Sequence, residues 1–350
     1  MTIFGDISLD GSRRTVTVER EYATTTADLW SALTEPERLG RWLGHYSADG
    51  DDGGYRLQMG GGFPVVTGRV LSCEPEKRIV VLWMFTGEAE AQLEADLVAH
   101  GDDHVVLTLT HRRAQAVNAA VWGAVWEDVF THLDRELRGE EEPGDLGDRG
   151  YAGEAADPAA FDSALEEYRR REAGLTPARM VRADGRSGVH LERLLDAPID
   201  QVWDALSRPD RIGRWLWPVV EWPDDPARER SLELGDTFLL GDSNVPEGTH
   251  TMEVLALEPG RLLSFTWGPA RSAVTFRLAE QDGGTLLVLD QDAIPDVFGA
   301  GRLRSAPDFA AGWHSLVDGL TLLLEGLDAP RREGLWDAAY EVYSAQDAAD

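Results

Sequence analysis

Apolar positions along the chain fall into short alternating runs that recur in two sets. Ile79, Val81, Trp83 and Phe85 occupy every second position, as do Leu263, Phe265 and Trp267. That spacing is expected of strands with one buried face. Val105, Leu107 and Leu109 form a further face, with Leu286 and Val288 as its counterpart. Opening strands are predicted over 15–22 and 189–195. Turn-forming residues separate the strands: Glu74-Pro75, Glu258-Pro259-Gly260, Gly101-Asp102-Asp103 and Asp282-Gly283-Gly284. Helical spacing appears after each opening strand, at Leu29, Trp30 and Leu33 and at Val202, Trp203 and Leu206. Thr25 and Asp28 fit a capping box, and Pro198 suits a first helical turn. A long closing helix carries Trp313, Val317, Leu320, Leu324 and Leu327 on one stripe. Strand, helix, several antiparallel strands and a long final helix predict an α+β domain.

The two sets are copies of one unit. Glu19-Arg20, Trp30, Ala32-Leu33, Pro36 and Gly40-Arg41-Trp42-Leu43 recur 173 positions later as Glu192-Arg193, Trp203, Ala205-Leu206, Pro209 and Gly213-Arg214-Trp215-Leu216. Trp83 matches Trp267, the run 105–111 matches 286–292, and Trp126 matches Trp313. Phe161…Tyr168 and Trp336…Tyr343 end the copies in short amphipathic helices. Expected domains are therefore 1–172, with an acidic insertion at 140–158, and 188–350, joined by a linker at 173–187. Two copies exclude a solenoid, and 350 residues suit two domains at roughly 100–200 residues each.

Composition narrows the function. Lys and Arg number 33 against 63 Asp and Glu, a net charge of −30. So acidic a surface repels phosphate backbones and anionic lipid, so neither nucleic acid nor membrane is an expected partner. Neither a membrane-spanning apolar run nor a secretory signal is read, and cytoplasmic location is expected. The lone Cys73 excludes an internal disulfide and a cysteine-rich zinc site. No phosphate loop, zinc-protease helix or nucleophile elbow is present, and Gly60-Gly61-Gly62 lacks the Lys-Ser/Thr a phosphate loop needs. No metal or cofactor is expected.

Pro198, Val202-Trp203-Asp204-Ala205-Leu206, Arg214-Trp215-Leu216, Val254…Glu258-Pro259…Trp267 and Gly312-Trp313-His314 resemble the helix-grip (START/Bet v1-like, SRPBCC) superfamily. Both halves are most similar to the domain family named after the C-terminal domain of the Hsp90 ATPase activator. The resemblance implies two tandem helix-grip domains, each a curved antiparallel sheet wrapped around a long C-terminal helix. It also implies an apolar cavity between them that binds, or does chemistry on, a hydrophobic small molecule. Fold alone does not fix function.

Within that frame, Trp83, Trp126, Trp267 and Trp313 are candidates for ligand contact, with core packing as the alternative. Trp30 and Trp203 are expected in the core, and Trp42 and Trp215 stacked on Arg41 and Arg214. His111, in phase with Val105, Leu107 and Leu109, is a candidate ligand-orienting group or acid/base, and Asp292 is its expected equivalent. Both could instead be solvated at strand ends, or His111 could be satisfied by a carboxylate. His100 to His104 reads as an exposed turn, not a metal site. Three functions stay open: small-molecule binding, a cyclase- or dehydratase-like enzyme using His111, and a co-chaperone-like module with a protein partner. A monomer is expected, because two fused copies can bury what a homodimer would.

Overall fold

The alternation in each copy folds into one antiparallel sheet in which the last strand lies beside the opening hairpin. The computed structural model describes residues 5–50, 53–59, 65–140, 157–183, 186–216, 219–221, 230–242, 245–267, 272–294, 306–326 and 335–349. The chain divides into two compact units, Met1–Glu172 and Ala173–Asp350. The expected insertion at 140–158 and the triple glycine 60–62 fall mostly or wholly outside the described residues.

In the first unit a hairpin of β1 (Asp6–Asp10) and β2 (Arg13–Tyr22) leads to α1 (Thr26–Thr34) and α2 (Pro36–Trp42). Six strands follow: β3 (His45–Ala48), β4 (Gly54–Gln58), β5 (Val65–Glu74), β6 (Arg78–Phe85), β7 (Ala91–Ala99) and β8 (Val105–Ala114). Helices α3 (Ala116–Leu137) and α4 (Pro158–Leu175) complete it. The strand order is β1-β2-β8-β7-β6-β5-β4-β3. Because β8 returns beside β2, α3 leaves the sheet there and packs back on β1, β2 and β8. α1 starts as its sequence predicts, with Thr25 Oγ1 accepting the Asp28 backbone N–H at 3.2 Å. Gly123 sits inside α3 at a cost of about 1 kcal/mol relative to alanine. A Cβ there would lie 2.5 Å from the ring of Tyr168, so the glycine is what lets α4 press its tyrosine against α3.

The second unit repeats the plan with β9 (Arg179–Ala183), β10 (Arg186–Leu195), α5 (Ile199–Ser207) and α6 (Pro209–Trp215). Then come β11 (Val219–Glu221), β12 (Thr237–Asp242), β13 (Val245–Glu258), β14 (Leu262–Trp267), β15 (Ser272–Gln281) and β16 (Gly284–Ile294). Helices α7 (Ala306–Leu324) and α8 (Leu335–Ala349) close it. Its sheet runs β11-β12-β13-β14-β15-β16-β10-β9, and α7 packs on β10 and β9. Tyr168 and Tyr343, the last aromatics of the repeat, are both fully buried.

Several expectations change. The stretch 173–187, expected as a linker, holds the end of α4, the strand β9 and the first residues of β10. Ala173 and Ala178 within it are fully buried in the second unit's core, and the strand that follows pairs with β10 and belongs to the sheet. Pro198 is the N-cap of α5 rather than a first-turn residue. Trp30 and Trp203 are only partly buried, and Leu29 and Val202 beside them are the fully buried residues. Trp42 and Trp215 pin helix to helix: their indole N–H groups donate to the Ala32 and Ala205 carbonyls, each at 2.9 Å.

The largest change concerns which residues of β16 face the helix. Paired residues in an antiparallel sheet share a face. In the first unit His111 lies between Val16 and Leu93, and Leu109 between Val18 and Ala95. In the second unit Gln291 lies between Val189 and Val274, and Leu289 between Leu191 and Phe276. The inner face of β16 is thus Thr285, Leu287, Leu289 and Gln291, all buried, while Leu286, Val288 and Asp290 turn outward. Asp292 lies on the outer face and is exposed, where its Oδ1 accepts the Ala273 N–H at 3.0 Å. The equivalent of His111 is Gln291, not Asp292: the run Leu286-Leu287-Val288-Leu289 is apolar on both faces, and alternation cannot set its phase.

Candidate functional site

Between sheet and closing helix, the first unit gathers the aromatic side chains that its pattern aligned. β6 supplies Trp83 and Phe85, β8 supplies His111, and α3 supplies Trp122 and Trp126, one helical turn apart. The rings of Trp122 and Trp126 stack at 5.6 Å with a 23° interplanar angle. Trp83 meets both edge-on at 5.9 and 5.5 Å. His111 lies 5.2, 6.1 and 6.5 Å from Trp122, Trp126 and Trp83. Trp83, His111 and Trp126 are therefore brought together, as the sequence predicts. Trp122 joins them, and its position four residues before Trp126 was the signal for it. Phe85 packs edge-on against Trp122 at 5.2 Å.

Polar groups in this cage are few and their roles can be assigned. Trp122 Nε1–H donates to Glu88 Oε2 at 3.0 Å, and Asn118 Nδ2 donates to the same carboxylate. Trp126 Nε1–H donates to His111 Nδ1 at 3.2 Å. An indole nitrogen can only donate, so Nδ1 is the acceptor and the neutral imidazole carries its proton on Nε2. Burial pushes the His111 pKa down to about 3, so the ring is uncharged at neutral pH. Its Nε2 and the Trp83 Nε1, both buried, meet no hydrogen-bond partner among the described residues. His111 is not solvated at a strand end, and no carboxylate among the described residues satisfies it.

The second unit places Trp267 on β14 and Trp313 on α7 with rings 4.7 Å apart. Trp313 Nε1–H donates to Gln291 Oε1 at 2.6 Å, and Gln291 Nε2 donates to Ser272 Oγ at 2.8 Å. Ser272 Oγ–H passes the chain on to the Trp267 carbonyl at 3.3 Å. Phe276 stands edge-on to Trp313 at 5.8 Å. Asp292 takes no part in this cluster. Sequence reasoning misses Gln291 because it sets the phase of β16 one residue off.

Charged side chains buried near the helices pair with one another. Arg20 Nη2 meets Glu127 Oε2 at 2.9 Å, and Tyr168 Oη donates to Glu127 Oε1 at 3.2 Å. In the second unit Arg193 meets Asp318 at 2.6 Å, and Tyr343 Oη lies 2.8 Å from His314 Nδ1. His100 and His104 sit exposed near the β7–β8 turn, against Glu21 and Asp103. Asp290, on the outer face of the sheet, pairs with His190 at 2.7 Å and with Arg277.

Both units match one known family. The family model described as Activator of Hsp90 ATPase homolog 1-like protein matches residues 23–138 and again 196–325, well over half of the chain. CalU16 from Micromonospora echinospora is 22% identical, over 48% of this chain and 96% of its own, with a TM-score of 0.39. A conserved protein, EF2215 from Enterococcus faecalis, is 18% identical over 53% of this chain and 98% of its own, TM-score 0.42. DynU16, a protein in the dynemicin biosynthetic locus, is 19% identical over 98% of this chain and 100% of its own, TM-score 0.35. Among curated proteins no sequence matches significantly. No described helix is long and apolar enough to cross a membrane. With the family pattern matched once in each unit, on a sheet that packs against a long C-terminal helix, the chain belongs to the Activator of Hsp90 ATPase homolog 1-like family as a tandem helix-grip protein.

Proposed function

We propose that the first unit binds a flat, apolar small molecule between its sheet and α3, with the chain acting as a monomer in the cytoplasm. The observation that carries this reading is the cage around His111, where two buried N–H groups, on His111 and Trp83, lie among aromatic rings with no partner among the described residues. An unsatisfied buried donor costs about 1–3 kcal/mol, and a bound ligand that accepts a hydrogen bond recovers it. Aromatic walls with one or two placed polar groups are the usual makeup of small-molecule sites.

The same geometry argues against a cyclase in which His111 takes a proton. Its one ring lone pair is held by Trp126, and the other nitrogen already carries hydrogen. Native mass spectrometry of protein purified from its own host tests the binding reading. The expected result is a bound species of a few hundred daltons that is lost on denaturation. A bare mass as purified, and again after incubation with a panel of planar aromatic compounds, overturns it.

A further inference from the structure

One position of the fold holds different groups in the two copies. His111 and Gln291 occupy the same place in the sheet, each paired with the equivalent residue of the opening strand, Val16 or Val189. Each accepts from a tryptophan of the closing helix, at 3.2 and 2.6 Å. They differ in what remains. Glutamine offers an acceptor at one end and a donor at the other. In the second unit both ends are used, by Trp313 and Ser272. Neutral histidine offers one acceptor and one donor, and in the first unit only the acceptor is used among the described residues. The Nε2–H of His111 and the Nε1–H of Trp83 are left over.

We infer that the two copies have divided their work: the first takes a planar aromatic ketone or quinone, whose carbonyl oxygen accepts from His111 Nε2–H. The second unit's Trp313–Gln291–Ser272 chain is complete in itself and serves packing. This inference rests on the proposed ligand-binding function and adds the ligand's chemical class and its stoichiometry. A neutral donor suits a neutral carbonyl oxygen. A carboxylate or phosphate would enter among aromatic rings with no cation of the cage to pair with, and a desolvated unpaired charge is costly. A pure hydrocarbon would fill the aromatic space but leave both donors unmet.

Two probes of one shape separate these cases: 9-fluorenone, and fluorene, in which a methylene replaces the carbonyl. Calorimetry on the full chain should find one fluorenone per chain, bound about tenfold or more tighter than fluorene, a difference of about 1.4 kcal/mol. His111→Phe keeps an aromatic ring without the donor and should reduce fluorenone to the affinity of fluorene, while Gln291→His should leave the first site's preference intact. A reading that depends on no variant comes from imidazole 1H–15N spectra of the wild-type chain. The His111 Nε2–H signal should move downfield with fluorenone, as a hydrogen bond to its carbonyl requires, and not with fluorene. Equal affinity for the two probes, two equivalent sites, or a fluorenone preference that survives in a folded His111→Phe chain overturns the inference and leaves the binding function standing. Binding of neither probe overturns both.

Discussion

At His111 the fold holds a titratable ring where its charged form has no support. The folded ring takes a proton only near pH 3, whereas a free histidine does so near 6.5. Between those values the unfolded chain binds one more proton than the folded chain. Acidification through that window therefore favours unfolding, by up to about 1.4 kcal/mol per pH unit. From pH 6.5 to 5 this amounts to about 1.5 kcal/mol. His111→Gln removes the titration, so its urea-unfolding free energy should fall by about that much less than wild type over the same range. Parallel pH profiles for the two proteins would show that the ring is solvated or charged in the folded state. Trp83, Trp122 and Trp126 do not titrate, so the difference between the two proteins isolates the histidine.

At the scale of elements, β8 and β16 show what the sequence reveals and what it conceals. In β8 the inward residues Val105, Leu107, Leu109 and His111 stand out because Thr108 and Thr110 lie between them. Their face, and the position of His111 on it, are legible. β16 has leucine or valine on both faces from Leu286 to Leu289, so alternation leaves the phase undetermined and puts the wrong residue, Asp292, inside. Pairing with β10 and β15 resolves it, and pairing is long-range information that alternation does not contain. The edge strands β1, β3, β9 and β11 escape the sequence pattern for a related reason. They are three to five residues long, too short for a period to show. The aromatic cage itself is largely legible, because its residues lie on strands and a helix whose periods are plain. A pair of alanine substitutions checks the assignment of β16. Gln291→Ala leaves the Trp313 indole N–H without its acceptor and should cost about 1–3 kcal/mol in chemical denaturation. Asp292→Ala should stay within about 0.5 kcal/mol of wild type, as exposed positions do. The reverse order would put Asp292 on the inner face.

For the whole molecule the governing property is charge. A net −30 on 350 residues sets up self-repulsion that is stronger in the compact state than in the expanded one. The buried pairs Arg14–Glu172 and Arg193–Asp318 are shielded from solvent ions, so salt acts mainly on the surface excess. Raising sodium chloride from about 0.05 to about 0.5 M shortens the screening length several-fold. The melting temperature should rise by roughly 2–4 °C, corresponding to ~1 kcal/mol. A fall would mean that surface ion pairs such as Arg78–Glu94 and Arg112–Glu94 contribute more than the repulsion they sit in.

The stacked pair Trp122–Trp126, with Trp83 set edge-on to both, has an optical consequence. Indoles 5.5–5.9 Å apart share their electronic excitation, so the trio absorbs ultraviolet light as one coupled chromophore rather than three. Its circular dichroism near 280–290 nm depends on the angles between the rings, and a guest that slid among them would change those angles. The first unit thus carries its own label at the place of interest, and occupancy can be followed in the intact chain without attaching anything to it.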